Sequence, residues 1–216
     1  MKSKFLLLSA AAVFGMFIMH SCNNDEYWDE NFGSLAERRM TRSVTEDEDG
    51  SDKETIAYTF PSAEQIAANP VVRARMDACW QTTLDNCNDS TRQEFGFLIY
   101  KNHETGQLYC GEDIRGNIVK NNSNETPSIA FSFSSNDINL CGFFHCHTSY
   151  AYKAEGSSRA TGPSSKDYNA ASSMGVPGLL YDFDAERIYG GEMVNNHKLY
   201  QITPPNNRSS ITITSN

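Results

Sequence analysis

The chain has no cluster of lysine and arginine, which argues against nucleic acid and against a calmodulin-like partner. It carries neither a glycine-rich P-loop nor a dinucleotide fingerprint, so both common nucleotide-binding signatures are missing. No Cys-x-x-Cys spacing occurs, which removes the usual framework of a structural zinc site. There is no internal repeat. Histidine is scarce, with five in 216 residues. Two of those five stand as His145-Cys146-His147, at the end of the apolar run Leu140-Cys141-Gly142-Phe143-Phe144. In a β-strand, residues i and i+2 project from the same face, so this register sets two imidazoles side by side. Two imidazoles with a carboxylate form a common set for a catalytic metal that keeps one position open. The competing reading is a pair of surface histidines at a strand end.

The N-terminus reads as an address. Met1-Lys2-Ser3-Lys4 is a short basic start, and Phe5 to Met19 is an apolar stretch of signal-peptide length, too short for an ordinary spanning helix. It ends at Met19-His20-Ser21-Cys22, which resembles a bacterial lipobox and marks Cys22 as the lipidation site. The following Asn23-Asn24-Asp25-Glu26-Tyr27-Trp28-Asp29-Glu30 resembles the acidic tract of Bacteroidetes-type surface lipoproteins. The expectation is a signal peptide over 1–22 and a lipid-anchored protein at the outer membrane or cell surface, touching the membrane through its N-terminal lipid.

Between residues 23 and 54 there are eleven acids and four bases, a net of −7 against −9 for the whole chain. The acidity therefore belongs mainly to this stretch. Its composition predicts a disordered tether over 23–56. About 160 residues remain, enough for one domain, expected over 57–205, with 206–216 as a loose polar tail.

Within the domain, Ser62-Ala63-Glu64-Gln65 has the form of a capping box, and Pro70 suits the first turn of a second helix. Val72, Met76, Cys79, Trp80, Thr83 and Leu84 recur at helical spacing. Strands are predicted at 95–101, 107–110, 129–133, 140–146, 178–183, 187–189 and 199–203, with a turn at Glu104-Thr105-Gly106 and a short helix over 165–173. This order gives an α/β fold with a mixed or mainly antiparallel sheet flanked by helices.

Five cysteines follow Cys22, so at least one stays free within a single chain. Cys79 and Cys87 lie about 12 Å apart along a continuous helix, beyond the roughly 7 Å limit for a bridge. They can pair only if the helix ends around Thr83 to Asp85. Cys110 with Cys141 is a candidate disulfide between strands. Cys146 alternates away from the two histidines and reads as a core thiol.

Glu94 before the strand Phe95-Gly96-Phe97-Leu98-Ile99-Tyr100, then His145-x-His147, then Pro163-Ser164-x-x-Asp167 opening a helix, form an ordered set. The set resembles the JAMM (JAB/MPN) metalloprotease family over about Val71 to Thr203. The likeness is closest to the JAB-like domains of secreted bacterial and polymorphic-toxin proteins. Gly175-Val176-Pro177-Gly178-Leu179-Leu180-Tyr181 and Arg187-Ile188-Tyr189 resemble the family's following strand pair. The resemblance implies a cytidine deaminase-like fold and a zinc ion held by His145, His147 and Asp167. It also implies Glu94 as the general base for a zinc-activated water and Ser164 as a support for the oxyanion. Taken singly, Glu94 reads better as a solvated strand-end acid, and Ser164 with Asp167 as a helix cap; only their joint order favours the site.

Two departures stand out. Thr148 replaces the family's proline after the second histidine, and the polar segment from Thr148 to Gly162 is longer than the family spacing. That segment is either a substrate-selecting lid or a tolerated insertion. Three functions follow from the resemblance. One is a zinc peptidase or isopeptidase acting on a protein, peptide or peptidoglycan amide. The others are a toxin-related effector and a binding module without turnover.

Overall fold

The computed structural model describes residues 41–46, 52–121, 123, 125–134, 136–194 and 196–214. The leader and Cys22 lie outside the described residues, as do most of the acidic stretch and the last two residues of the tail. The elements in chain order are β1 (Thr41–Glu46), β2 (Asp52–Thr59), α1 (Ala63–Ala68), α2 (Pro70–Asp85), β3 (Thr91–Arg92) and β4 (Phe95–Lys101). Next come β5 (Leu108–Cys110), β6 (Ile114–Arg115), β7 (Val119–Lys120), β8 (Leu140–Cys146) and β9 (Ser158–Ala160). The chain finishes with α3 (Ser165–Met174), β10 (Gly178–Phe183), β11 (Arg187–Tyr189), β12 (His197–Ile202) and β13 (Ser210–Thr214). Among the described residues no helix is long and apolar enough to cross a membrane.

The central sheet runs β12-β10-β8-β4-β5, with β6 also pairing β4. β8 and β10 are parallel, while β4 is antiparallel to β8 and β12 is antiparallel to β10. The fold is therefore mixed α/β, as expected. β4, β8 and β10 read as near-continuous apolar runs because helices cover both faces of the sheet. Phe97, Ile99, Phe144, Cys146, Leu179, Tyr181 and Phe183 pack under α1 and α2 against Ile66, Val72, Met76, Cys79 and Trp80. Leu98, Leu140, Phe143 and Ile202 pack on the other side with Ala171 and Met174 of α3. Cys146 is fully buried on the α2 side, where the alternation places it.

The helices begin where the residues dictate. Ser62 Oγ accepts the Gln65 N–H and Gln65 Oε1 accepts the Ser62 N–H, closing the capping box of α1. Asn69 Oδ1 then accepts the N–H groups of Val71 and Val72, so one residue ends α1 and caps α2, with Pro70 in its first turn.

The structure differs from the sequence reading in three places. Residues 41–46 and 52–56, expected in the tether, belong to strands β1 and β2, and the expected tail supplies β13. These form a separate antiparallel sheet, β1-β2-β13. β-branched residues fit a pleated surface: Thr55, Ile56 and Thr59 in β2, where the neighbouring acids hid them, and Ile211 and Thr212 in β13, inside a stretch otherwise polar. No strand forms at 129–133. Phe131 packs on Phe143, with ring centroids 5.2 Å apart, but β5 and β6 already occupy the adjacent edge of β4. Finally, Cys110 and Cys141 are free thiols, as are Cys79, Cys87 and Cys146. β5 and β8 flank β4 on opposite sides, so the two backbones stand two strand spacings apart, roughly 10 Å. That exceeds disulfide reach.

Gly96 of β4 pairs with His145 of β8. A Cβ there would collide with the Phe144 carbonyl and the His145 Cβ. Neither can retreat, because both belong to the central ladder. Gly96→Ala should therefore lower stability by about 1–3 kcal/mol through overpacking. Denaturant or thermal unfolding measures this, and unchanged stability would contradict the packing described.

Candidate metal centre

His145 is the next-to-last residue of β8 and His147 lies just beyond its end, both on the α3 face of the sheet by strand alternation. Asp167 lies in the first turn of α3, the helix that covers that face. His145 Nε2 is 3.0 Å from Asp167 Oδ1, and His147 Nε2 is 3.5 Å from Asp167 Oδ2. One ligand atom from each of the three residues lies within 4.8 Å of the others. Donors on a tetrahedral ion at 2.0–2.1 Å stand about 3.3 Å apart, so these separations suit a single metal ion. Two neutral imidazoles and a carboxylate are also the right donor chemistry. The buried triad His145, His147, Asp167 could hold a metal ion.

The triad is held by its surroundings. His145 is 2 % exposed, with Phe143 and Phe131 each 6.3 Å from its ring centroid. Its Nδ1 is buried without a partner among the described residues, leaving Nε2 as the atom aimed at Asp167. The backbone N–H of His147 donates to the Tyr181 carbonyl at 3.0 Å, which continues the β8–β10 ladder past its last strand residue. His147 Nδ1 donates to Asp182 Oδ2 at 3.0 Å, which turns Nε2 toward the site. A carboxylate behind a ligating histidine is the usual way a metal site fixes ring orientation. Asp167 Oδ2 accepts the Ser164 N–H at 2.5 Å while Oδ1 faces His145. Capping the helix and facing the site are thus one arrangement, not rival ones. Ser164 itself is exposed and lines the cavity.

Glu94 does not join the ligand cluster, but it lines the same cavity, of about 790 Å³. Burial pushes its carboxyl above the ordinary range, against the pull of His147 and His145. Burial also disfavours the His147 imidazolium, but Asp167 and Asp182 outweigh it and raise the pKa to about 9. Burial works against Asp167 and Asp182 as anions. Their histidine partners, and Arg159 for Asp182, hold both carboxyls well below the usual carboxylate range.

The sequence reading missed Asp182 and Arg159. Arg159 grips Asp182 with two nitrogens, at 2.7 and 2.6 Å, and donates to the Thr148 carbonyl at 3.2 Å. The long segment before α3 is thereby tied down: β9 pairs with β11, and the Gly162 N–H donates to Asp182 at 2.7 Å. Gly162 has φ +94°, a conformation that favours glycine, and a Cβ there would press on the Tyr200 ring. One signal in the sequence could have found Asp182. It is a lone acid inside the apolar run Gly178–Phe183, and a buried charge needs partners.

A ligating histidine must be neutral, yet His147 carries a proton at neutral pH in the metal-free state. Metal binding should therefore release a proton at pH 7. Apparent affinity should rise about tenfold per pH unit until the pH reaches about 9. Zinc titration calorimetry in buffers of different ionisation enthalpy reads both quantities, and an affinity flat between pH 7 and 9 would contradict this electrostatic account.

No family model matches the chain, and no curated protein or solved structure matches it, so the chemistry has to be argued from these residues themselves.

Proposed function

We propose that the domain is a zinc-dependent hydrolase of the JAMM (JAB/MPN) kind, cleaving an amide in a protein, peptide or peptidoglycan. The observation that carries this reading is the convergence of His145, His147 and Asp167 in a cavity also lined by Glu94. The mixed sheet with helices on both faces supports the corresponding cytidine deaminase-like fold.

Bound zinc supplies a Lewis acid and brings the pKa of water down towards 7. Glu94, a buried carboxyl with a raised pKa, takes the proton of the attacking water and delivers it to the leaving amine. The Ser164 hydroxyl, exposed at the cavity, donates a hydrogen bond to the developing oxyanion. Asp182 and Arg159 touch no reacting atom. They keep the His147 ring turned so that its Nε2 faces the site.

Metal analysis and amide-cleavage assays on the wild type, Glu94→Gln and His147→Ala test the proposal. Glu94→Gln should keep the metal and lose at least a hundredfold in rate, the usual worth of a general base. His147→Ala should lose both metal and activity. A wild type that binds no zinc would defeat the catalytic reading, and zinc binding without cleavage would favour a binding module.

The same proposal places the protein at the outer membrane or cell surface through a lipid on Cys22. Replacing Cys22 with Ser should release the chain from the membrane fraction, as read by fractionation. Retention of that variant would remove the anchor from the reading.

A further inference from the structure

Arg92 carries a charge that the described residues do not neutralise. It is 1 % exposed, and its Nε and Nη2 are both buried without a hydrogen-bond partner. These two nitrogens form one edge of the guanidinium fork, the edge that matches the two oxygens of a carboxylate. No ion pair to Arg92 occurs among the described residues. Its aromatic neighbour is Tyr150, whose ring centroid is 6.0 Å from Cζ. Arg159 stands at the same distance from that ring but is committed to Asp182. Burial holds the Arg92 guanidinium below its ordinary pKa and outweighs the opposing pull of Cys87, Tyr150 and Glu94, none of which bonds to it.

The position of this charge is what gives it meaning. Arg92 ends β3, which is held by β7, and lies two residues before Glu94. Both residues line the cavity that contains the His145, His147 and Asp167 cluster. Alternate residues of an extended chain are about 6.6 Å apart. A bound peptide covers that distance in about two residues. A buried cation without a partner is costly, and such groups are retained where a ligand completes them.

We propose that Arg92 binds a carboxylate of the substrate, so that the cavity selects peptides carrying a free carboxylate within about two residues of the scissile amide. The identity of the substrate as a peptide rests on the hydrolase reading above, whereas the anion site rests on Arg92 alone. Binding requires this buried, unpaired guanidinium edge to turn into the cavity that the residue already lines. The carboxylate is either the peptide's C-terminus or an acidic side chain, and the two sources share one chemistry.

Three probes separate these cases: acetyl-Ala-Ala, with a terminal carboxylate; acetyl-Ala-Glu-amide, with a side-chain carboxylate; and neutral acetyl-Ala-Ala-amide. Their binding is measured by calorimetry to the full chain, both metal-free and as zinc-treated Glu94→Gln, which blocks turnover. At least one acidic peptide should bind tenfold or more tightly than the neutral one, and which one does so names the source. Arg92→Met should abolish the preference in both preparations, and Arg92→Lys should retain part of it. Because Met fills the volume and removes an unpaired buried charge, Arg92→Met should unfold at or above the wild-type temperature. A second readout needs no variant: acetyl-Ala-Ala or acetyl-Ala-Glu-amide should raise the melting temperature of the wild type, and the neutral peptide should not. Equal binding of all three peptides, or a preference that survives Arg92→Met, overturns the inference. Absence of zinc binding or of cleavage would remove the hydrolase reading, while the preference of the metal-free chain would still decide the role of Arg92.

Discussion

Asp182 is the interaction on which the site depends. Its side chain is fully buried on β10, where an unpaired carboxylate would be strongly unfavourable. Its charge is met by two nitrogens of Arg159, by His147 Nδ1 and by the Gly162 N–H. These partners come from three places: β9, the residue just beyond β8, and the turn that leads to α3. The carboxylate therefore fastens the long segment after His147 to the sheet and orients one member of the triad. The same group that ties the loop down also turns the Nε2 of His147 toward a position where a metal ion could be held.

Much of this arrangement was legible in the sequence, for physical reasons that can be named. β4, β8 and β10 are runs of six or seven largely apolar residues, and such runs have few ways to hide except in a sheet covered on both faces. The spacing of His145 and His147 could be read because strand alternation is strict. Ser164-x-x-Asp167 could be read because a helix needs an acceptor in its first turn. What the sequence did not display was pairing. Nothing in Ala185 to Tyr189 says that it will meet Ser158 to Ala160, so Arg159 could not be placed beside Asp182. β1 and β2 were obscured for a different reason. Charge was summed over the whole acidic stretch, whereas strand formation depends on the local alternation of threonine, valine and isoleucine. The run Ile129–Phe133 failed the opposite way. Its pattern suits a strand, but a strand also needs a free edge, and β5 and β6 hold that one.

Asp167 illustrates why single-residue readings of this site compete when they should combine. As a helix acid it stabilises the N-terminus of α3 through the Ser164 N–H. That same bond fixes the carboxylate so that its other oxygen meets His145 Nε2. A helix cap is thus a way of aiming a ligand, and the helix dipole adds a field that favours the anion.

The charges around the triad also bear on what kind of metal site it could form. A structural zinc site usually folds with its metal, because its ligands have no other partners. Here the ligands are already satisfied in large part. His147 holds a proton between Asp167 and Asp182, Asp167 is bonded to its own helix, and Asp182 is gripped by Arg159. The proton on His147 supplies, without metal, part of the positive charge that two buried carboxylates require. Exchange of that proton for a cation would leave the scaffold unchanged, since Asp182, Arg159 and α3 hold their positions by bonds that do not involve the ion. A metal ion held on a scaffold that stands without it, beside a cavity, would be suited to exchange and chemistry more than to holding a fold together.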